Sequence, residues 1–136
     1  MLKRTRLDLW TTVAVLLHFL VNLAHGAAHN GAHVDISPSM MAFVVLVILL
    51  GPLAGLALSW WQPRAGAWIV AATMGGSLAF GVVNHFVILS PDHVSQVATE
   101  WRTMFGATAV LLAVLEIAGV GLGLRAALAK EVGRSS

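Results

Sequence analysis

Three of the six histidines in this 136-residue chain are spaced in a way that suits metal binding. His25 and His29 are four residues apart, so on a helix both imidazoles lie on one face and can bind the same ion. His85 belongs to a different apolar segment and supplies a third ligand where the two segments pack together. A fourth ligand is expected from His33, His93 or a carboxylate in a connecting segment. The pattern therefore predicts a histidine-rich metal site at one end of the apolar segments.

The ligand types indicate which ion is expected. The chain has no cysteine, which excludes thiolate ligands, and neutral imidazole suits zinc, copper, nickel and iron. Zinc and copper are the favoured ions, with a slight preference for copper because three thioethers are expected at the level of the histidines: Met40, Met41 and Met104. Haem b is the alternative cofactor, held between one histidine of the pair and His85. An i, i+4 pair suits an ion better, because haem requires one ligand on each side of the ring.

Polar residues close to these histidines have supporting roles in this interpretation. Asn22 and Asn84 are expected to orient the imidazole rings by hydrogen bonding to them. Three carboxylates in the connecting segments are candidate general bases if the ion activates water: Asp92, Asp35 and Glu100. The chain has no HExxH motif and no serine nucleophile elbow, so the sequence does not specify a reaction.

A second group of polar residues is expected in the middle of the apolar segments. His18, Asn22, His25 and His29 follow one another at i, i+4, i+7 and i+11 and form one stripe on a helix. Glu116 is the deepest carboxylate of the apolar segments and lies at about the depth of His18. His18 lies about 10 Å below His25, too far for both to bind one ion. We predict that His18 and Glu116 are partners, either in a proton relay or in a hydrogen-bonded pair that only sets helix register.

The elements that must position these residues are long apolar helices. The chain is 58% hydrophobic and 10% charged, with a mean hydropathy of +0.85, so its polar residues cannot cover a water-soluble globule. A hydrocarbon core about 30 Å thick requires about 20 apolar residues in a helix. Four stretches of this length occur, at about 7–29, 40–61, 66–89 and 101–124. We predict an all-α integral membrane protein, one domain over residues 1–136, that forms a four-transmembrane-helix bundle.

Glycines are expected where these helices meet, since small residues let helix backbones approach closely within a bilayer. Gly51 with Gly55, and Gly119 with Gly123, form pairs four residues apart. The first, third and fourth segments carry polar residues and are expected to share a polar interior. The second segment has almost no polar residue, and we expect it to pack through its glycines and aliphatic side chains.

The positions of lysine and arginine predict how the bundle is oriented, because translocation of these residues is disfavoured. Only Arg102 lies on the side of the histidines. We therefore predict both termini in the cytoplasm, residues 125–136 as a cytoplasmic tail, and a multi-pass protein of a bacterial-type inner membrane with the histidines at the outer face. A cleaved signal peptide is the alternative for the first segment, but its apolar part exceeds the usual 7–15 or so residues. The basic residues on the cytoplasmic side are Lys3, Arg4, Arg6, Arg64, Arg125, Lys130 and Arg134.

Four classes of function are compatible with this pattern. The first is a membrane metalloprotein that handles metal or carries out metal-dependent chemistry, and it is favoured because five of six histidines are expected at one face. The others are a small b-type cytochrome that exchanges electrons with quinone, a proton-coupled transporter, and an assembly subunit of a larger membrane complex. The lipid bilayer is the expected partner, and the glycine-rich faces permit a homo-oligomer or a larger complex. The net charge of +2 reflects membrane topology and does not indicate a nucleic-acid partner.

Overall fold

The computed structural model describes residues 6–129, with side chains from Leu9 onward. Within this range the chain is helical and contains no strand. Two short π-helical segments interrupt the α-helices, one inside the second helical stretch and one at the end of the third. In chain order the elements are α1 (Arg6–Gly31), α2 (Pro38–Phe43), the π segment Val44–Leu49, α3 (Leu50–Leu58), α4 (Pro63–Val82), the π segment Val83–Val87 and α5 (Thr99–Leu128).

Four helical stretches are long and apolar enough to cross a membrane, which confirms the predicted number of spans. We call them spans one to four: Leu9–Gly31, Pro38–Leu58, Pro63–Val87 and Thr99–Leu128. Their length and composition support a multi-pass membrane protein.

The boundaries of the spans differ from the predicted ones by a few residues, for identifiable reasons. Spans two and three begin earlier because Pro38 and Pro63 occupy the first helical turn, where proline is favoured. The Ser37 side chain also accepts a hydrogen bond from the Met40 N–H and caps span two. The last span continues to Leu128, so part of the predicted tail is helix. Residues 130–136 of that tail and the first five residues, with Lys3 and Arg4, lie outside the described residues.

The spans run alternately in opposite directions, since the connections 32–37, 59–62 and 88–98 are short. Span four packs against spans one and three, and span two packs against span three. Spans one and two make few close backbone contacts, and these involve mainly α3. The connections 32–37 and 88–98 lie together at one end, which we call the histidine end. Spans one and two are therefore least closely packed towards the histidine end.

The predicted role of the glycine pairs in helix packing is confirmed. A Cβ added at Gly55 would lie 2.8 Å from the backbone nitrogen of Val70 on span three. A Cβ at Gly123 would lie 2.9 Å from the nitrogen of Ala71 and 3.0 Å from the carbonyl oxygen of Ala67. These contacts are with backbone atoms, which cannot move aside without shifting a helix. The glycines therefore set the distance between neighbouring spans.

We predict that Gly123→Val destabilises the bundle, because the added side chain forces spans three and four apart. The expected loss is about 1–3 kcal/mol, the usual cost of overpacking a close contact. Gly121→Val is the matched control, since a Cβ at Gly121 meets nothing within 4 Å. Thermal unfolding of both variants in detergent measures the difference. Equal stability of the two variants would contradict the close packing at Gly123.

Candidate metal centre

His25 and His29 lie in the last two turns of α1, and the end of this helix is fixed by backbone hydrogen bonds. The Val34 N–H donates to the carbonyl of His29 at 3.0 Å, and the His33 N–H donates to that of Asn30 at 3.2 Å. This is the Schellman pattern, and it places His33 in the left-handed region with φ 52°. The ordered helix end holds the histidine pair in a defined place.

His85 is positioned by the π segment Val83–Val87, in which the helix widens before it ends. The Ile88 N–H closes this segment on the carbonyl of Val83 at 2.8 Å. The connection 88–98 then folds back against the end of span three, where the Val94 N–H donates to the carbonyl of His85 at 3.0 Å. Single π turns within helices are frequent at functional sites. Here the π turn coincides with the histidine that faces span one.

The Nε2 atoms of His25 and His85 are 3.2 Å apart, and the partners of His25 show which form of its ring is present. The Nδ1 of His25 lies 2.8 Å from the Thr108 hydroxyl oxygen. That hydroxyl donates its own proton to the carbonyl of Met104 at 2.7 Å or of Phe105 at 3.0 Å. It must therefore accept the Nδ1–H of His25. The lone pair of the neutral His25 ring is then on Nε2, which faces His85.

The ring of His85 is arranged in the same way. Its Nδ1 lies 3.1 Å from the backbone carbonyl of Asp92, which can only accept, so the proton is on Nδ1 and the lone pair on Nε2. Two nitrogen lone pairs that face each other at 3.2 Å repel unless a proton or a metal cation lies between them. Two imidazole nitrogens bound to one tetrahedral zinc ion at about 2.0–2.1 Å would be about 3.3 Å apart. The distance between His25 and His85 thus matches that of two ligands of one ion.

His29 is the third histidine of the cluster, and the Asp92 carboxylate lies beside it. Each of the three histidines offers a ligand nitrogen, and these atoms lie within 4.8 Å of one another. The Asp92 Oδ1 is 3.3 Å from Nε2 of His29 and 3.3 Å from Nδ1 of His85, although neither approach has hydrogen-bond geometry. Asp92 is only 5% exposed, and both its oxygens and His29 Nδ1 lack hydrogen-bond partners among the described residues. Buried polar atoms without partners are uncommon, and a water molecule, a ligand or an ion usually satisfies them.

An aromatic ring holds the three imidazoles together. Phe105 is fully buried, and its ring centroid is 4.7 Å from that of His25, 4.8 Å from that of His29 and 5.1 Å from that of His85. It also packs with Ala28 and with Val97 of the connection 88–98. The packing of Val97 against Phe105 holds the connection 88–98 against the histidine end. Asp92, which belongs to this connection, therefore lies beside the imidazole rings.

Two of the predicted histidine ligands are not part of this cluster. His33 is exposed at the turn that ends α1. The Nδ1 of His93 is 2.8 Å from the Ser95 hydroxyl, within its own connection. Among the described residues, the histidine and acidic side chains close enough to share one ion are those of His25, His29 and His85.

The other carboxylates proposed as general bases lie apart from the rings. Glu100 is exposed in the first turn of α5. Asp35 is exposed too and lines the rim of the cavity described below. Asp92 is therefore the predicted base that the fold brings into contact with two of the imidazoles.

The two asparagines make other contacts than the expected ones to the metal-cluster rings. The Asn22 side-chain amide donates to the carbonyl of His18 at 2.9 Å and approaches His18 Nε2 at 3.1 Å. The Asn84 amide donates to the carbonyl of Phe80 at 2.8 Å. Both amides therefore bond within their own helix, because an acceptor one turn away is closer than the metal cluster. The orienting contacts come instead from Thr108 and from the backbone of Asp92.

His18 and Glu116 are in contact in the middle of the bundle, as their depths predict. The His18 Nε2 is 3.2 Å from Glu116 Oε1, and the two side chains are 1% and 5% exposed. Asn22 approaches the same ring nitrogen. The three side chains form one buried polar group that joins spans one and four.

A cavity of about 490 Å³ connects the two polar groups. All three clustered histidines and Asp92 line it at the histidine end, and Glu116 lines it at mid-span. A volume of this size lies within the range of about 300–1,000 Å³ for pockets that hold small ligands. An ion at the histidines would therefore be accessible to a molecule in the cavity.

Comparison of the chain with protein-family models, curated proteins and solved structures gives no match. The function must consequently be argued from the geometry of the site.

Thr108→Val should weaken metal binding, because it removes the acceptor that keeps the His25 proton on Nδ1. Loss of such an orienting partner typically lowers metal affinity by about 10–100-fold. Thr73→Val is the matched control, since the Thr73 hydroxyl donates to the carbonyl of Ile69 in its own helix at 2.7 Å. Competition with a fluorescent zinc chelator measures both affinities. An unchanged affinity in Thr108→Val would show that this hydroxyl does not orient a ligand.

Proposed function

We propose that this chain is an integral membrane metalloprotein that binds one zinc ion through His25, His29 and His85. The proposal is carried by the two Nε2 atoms that face each other at 3.2 Å while the opposite nitrogen of each ring is hydrogen-bonded. A ligating histidine usually has this arrangement, with its second nitrogen donating to a hydroxyl, carbonyl or carboxylate.

Zinc is the ion that the whole ligand set supports best. The cluster of three imidazoles lies beside a carboxylate, Asp92, and zinc is compatible with nitrogen ligands in such oxygen-containing surroundings. The slight preference for copper rested on three methionines near the histidines. The carboxylate beside the rings outweighs it, because soft thioethers favour copper(I) and carboxylates do not.

Three protein ligands and an adjoining cavity favour a catalytic or transport site over a purely structural one. Structural zinc sites usually have four protein ligands, whereas catalytic sites retain an open position. Zinc in such a position polarises a carbonyl group or activates a water molecule. Asp92 is buried next to the cavity and is the group placed to accept a proton there. From the distribution of basic residues, we propose that the site lies at the outer face of a bacterial-type inner membrane.

The contact between His25 and His85 favours an ion over haem b. Their Nε2 atoms at 3.2 Å leave no space for a macrocycle between them, so a bis-histidine haem would require spans one and three to separate. This geometry weighs against a cytochrome that exchanges electrons with quinone.

Metal transport is the second candidate function. The cavity that begins at the histidines also reaches Glu116, a buried carboxylate that could receive a cation at mid-span. Proton coupling through His18 and Glu116 would belong to this alternative.

Metal analysis and a visible spectrum of the purified protein test the proposal. We expect about one zinc per chain after expression in zinc-supplemented medium, and no Soret band. A Soret band with a stoichiometric haem would support the cytochrome instead. A protein that binds neither zinc nor haem would overturn the proposed metal site.

A further inference from the structure

The fully buried polar atoms of the cavity lining that have no hydrogen-bond partner among the described residues lie at its histidine end. Deeper in the bundle its buried polar side chains are already engaged, because Asn22 and Glu116 contact His18 and the Ser77 hydroxyl donates to the carbonyl of Thr73. The unpartnered buried atoms are His29 Nδ1 and the two Asp92 oxygens. An ion at the histidines would satisfy the Asp92 oxygens, and the polar end of a ligand bound to that ion would lie at the histidine end.

Most of the remaining cavity wall is apolar. The π segment Val44–Leu49 of span two supplies one wall, and Phe80 and Phe86 of span three supply another. Leu23 of span one and Leu112 of span four complete the lining. Walls of this kind stabilise a hydrocarbon chain and disfavour a hydrated ion.

The sparse packing of spans one and two indicates an opening of the cavity between them. Close contacts between these spans are few and lie mainly towards α3, away from the histidines. Apolar side chains from both spans line the cavity and remain solvent-accessible in the isolated chain, with Leu23 52%, Met41 48% and Val45 38% exposed. In a membrane this opening would face lipid chains rather than water.

Gly26 contributes to the same opening. It lies on α1 between the two ligand histidines, lines the cavity, and has nothing within 4 Å of the position of an added Cβ. Unlike Gly55 and Gly123, it is therefore not required for close helix packing. The missing side chain leaves space beside the metal cluster.

We propose that the cavity binds a single-chain lipid, whose carboxylate or acyl carbonyl reaches the ion while its hydrocarbon chain lies between spans one, two and three. This inference rests on the proposed metal site for its polar end. A volume of about 490 Å³ suits one acyl chain with a small head group and is too small for a two-chain phospholipid. The lipid enters from the bilayer through the opening between spans one and two.

Cobalt-substituted full-length protein in detergent provides the test, since the visible absorption of Co²⁺ changes when an oxygen ligand joins histidine ligands. Palmitate is the probe. We expect it to change the spectrum of the wild type saturably. In Gly26→Phe the aromatic ring occupies the cavity, and palmitate affinity should fall by roughly tenfold or more, equivalent to about 1.4 kcal/mol. Co²⁺ should still bind at about one ion per chain.

Two further variants make the result specific. Gly121→Phe is the matched control, because Gly121 also has open space around it but lies on span four and does not line the cavity. It should bind palmitate like the wild type. Val45→Trp narrows the opening from the side of span two and replaces Gly26→Phe if that variant does not fold.

The outcomes separate the lipid proposal from the metal proposal. Absence of Co²⁺ and zinc from the wild type would refute the metal site itself. A loaded metal site whose spectrum palmitate does not change would overturn the lipid proposal alone. The same conclusion would follow if Gly26→Phe and Val45→Trp bind palmitate as the wild type does, or if a two-chain phosphatidylcholine competes equally well.

Discussion

His85→Ala will yield a folded protein without its zinc ion. This variant removes one of three ligands and also the Nδ1 contact with Asp92, so the remaining pair on span one cannot hold the ion at the same strength. The loss should exceed the 10–100-fold or so that follows removal of an orienting partner. Zinc content after dialysis against a weak chelator measures it, with one ion per chain in the wild type and close to none in the variant.

His93→Ala and His33→Ala are the controls for this result. Both histidines lie in or next to the connections at the histidine end, but neither belongs to the cluster of three. Each variant should retain about one zinc per chain, with unchanged thermal stability. Equal zinc loss in His93→Ala and His85→Ala would mean that the ion is bound by the surface histidines and not by the buried cluster.

The second large effect is expected at the buried pair of His18 and Glu116. His18→Leu leaves the Glu116 carboxyl group without its partner in the middle of the bundle. Removing one member of a buried pair commonly destabilises a protein on the order of 3 kcal/mol, because the other remains desolvated. Thermal or denaturant unfolding in detergent measures this loss. The zinc content should stay unchanged, because the metal cluster lies about two helical turns from His18.

The double variant His18→Leu with Glu116→Leu tests whether the loss arises from the unpaired carboxyl group. Replacing both members with apolar residues should recover most of the stability lost in His18→Leu. A double variant that is as unstable as the sum of its single variants would show that the two side chains do not interact.

The number of spans and the depth of the polar residues could be predicted because they depend on helix length, rise and hydropathy alone. Helix rise likewise predicted that His18 and Glu116 lie at one depth and that His25, His29 and His85 lie at one end. Residues at one level on different spans come into contact wherever those spans pack side by side, so these long-range contacts could be predicted.

The expected contacts of His33, Asn22 and Asn84 that the described residues do not make have a different physical origin. His33 continues the i, i+4 stripe of α1, but the helix ends before it, and the left-handed turn directs the chain away. Asn22 and Asn84 have acceptors one helical turn away on their own backbone, and a local hydrogen bond competes with a distant one. The spacing of residues along a helix does not by itself show whether a polar side chain bonds to its own backbone or to a distant group.

Two features of the site had no clear signal in the sequence, and a third had one. The π segment that carries His85 depends on how span three ends against the connection 88–98. The backbone carbonyl of Asp92 orients the His85 ring, and because every residue has a backbone carbonyl, the sequence does not mark this contact. Thr108 did have a usable signal, since it lies eight residues before Glu116 and hence on the same face of α5. The Thr108 hydroxyl was therefore predictable as a polar group on the face of α5 that carries Glu116.

X-ray absorption at the zinc edge of the metal-loaded protein tests the central claim most directly. The spectrum should show three imidazole nitrogens at about 2.0–2.1 Å with one oxygen ligand and no sulfur. In His85→Ala loaded with excess zinc, one imidazole contribution should be lost. A zinc spectrum with sulfur ligands, with fewer than two imidazoles, or with no change in His85→Ala would contradict the assignment of His25, His29 and His85 as the metal site.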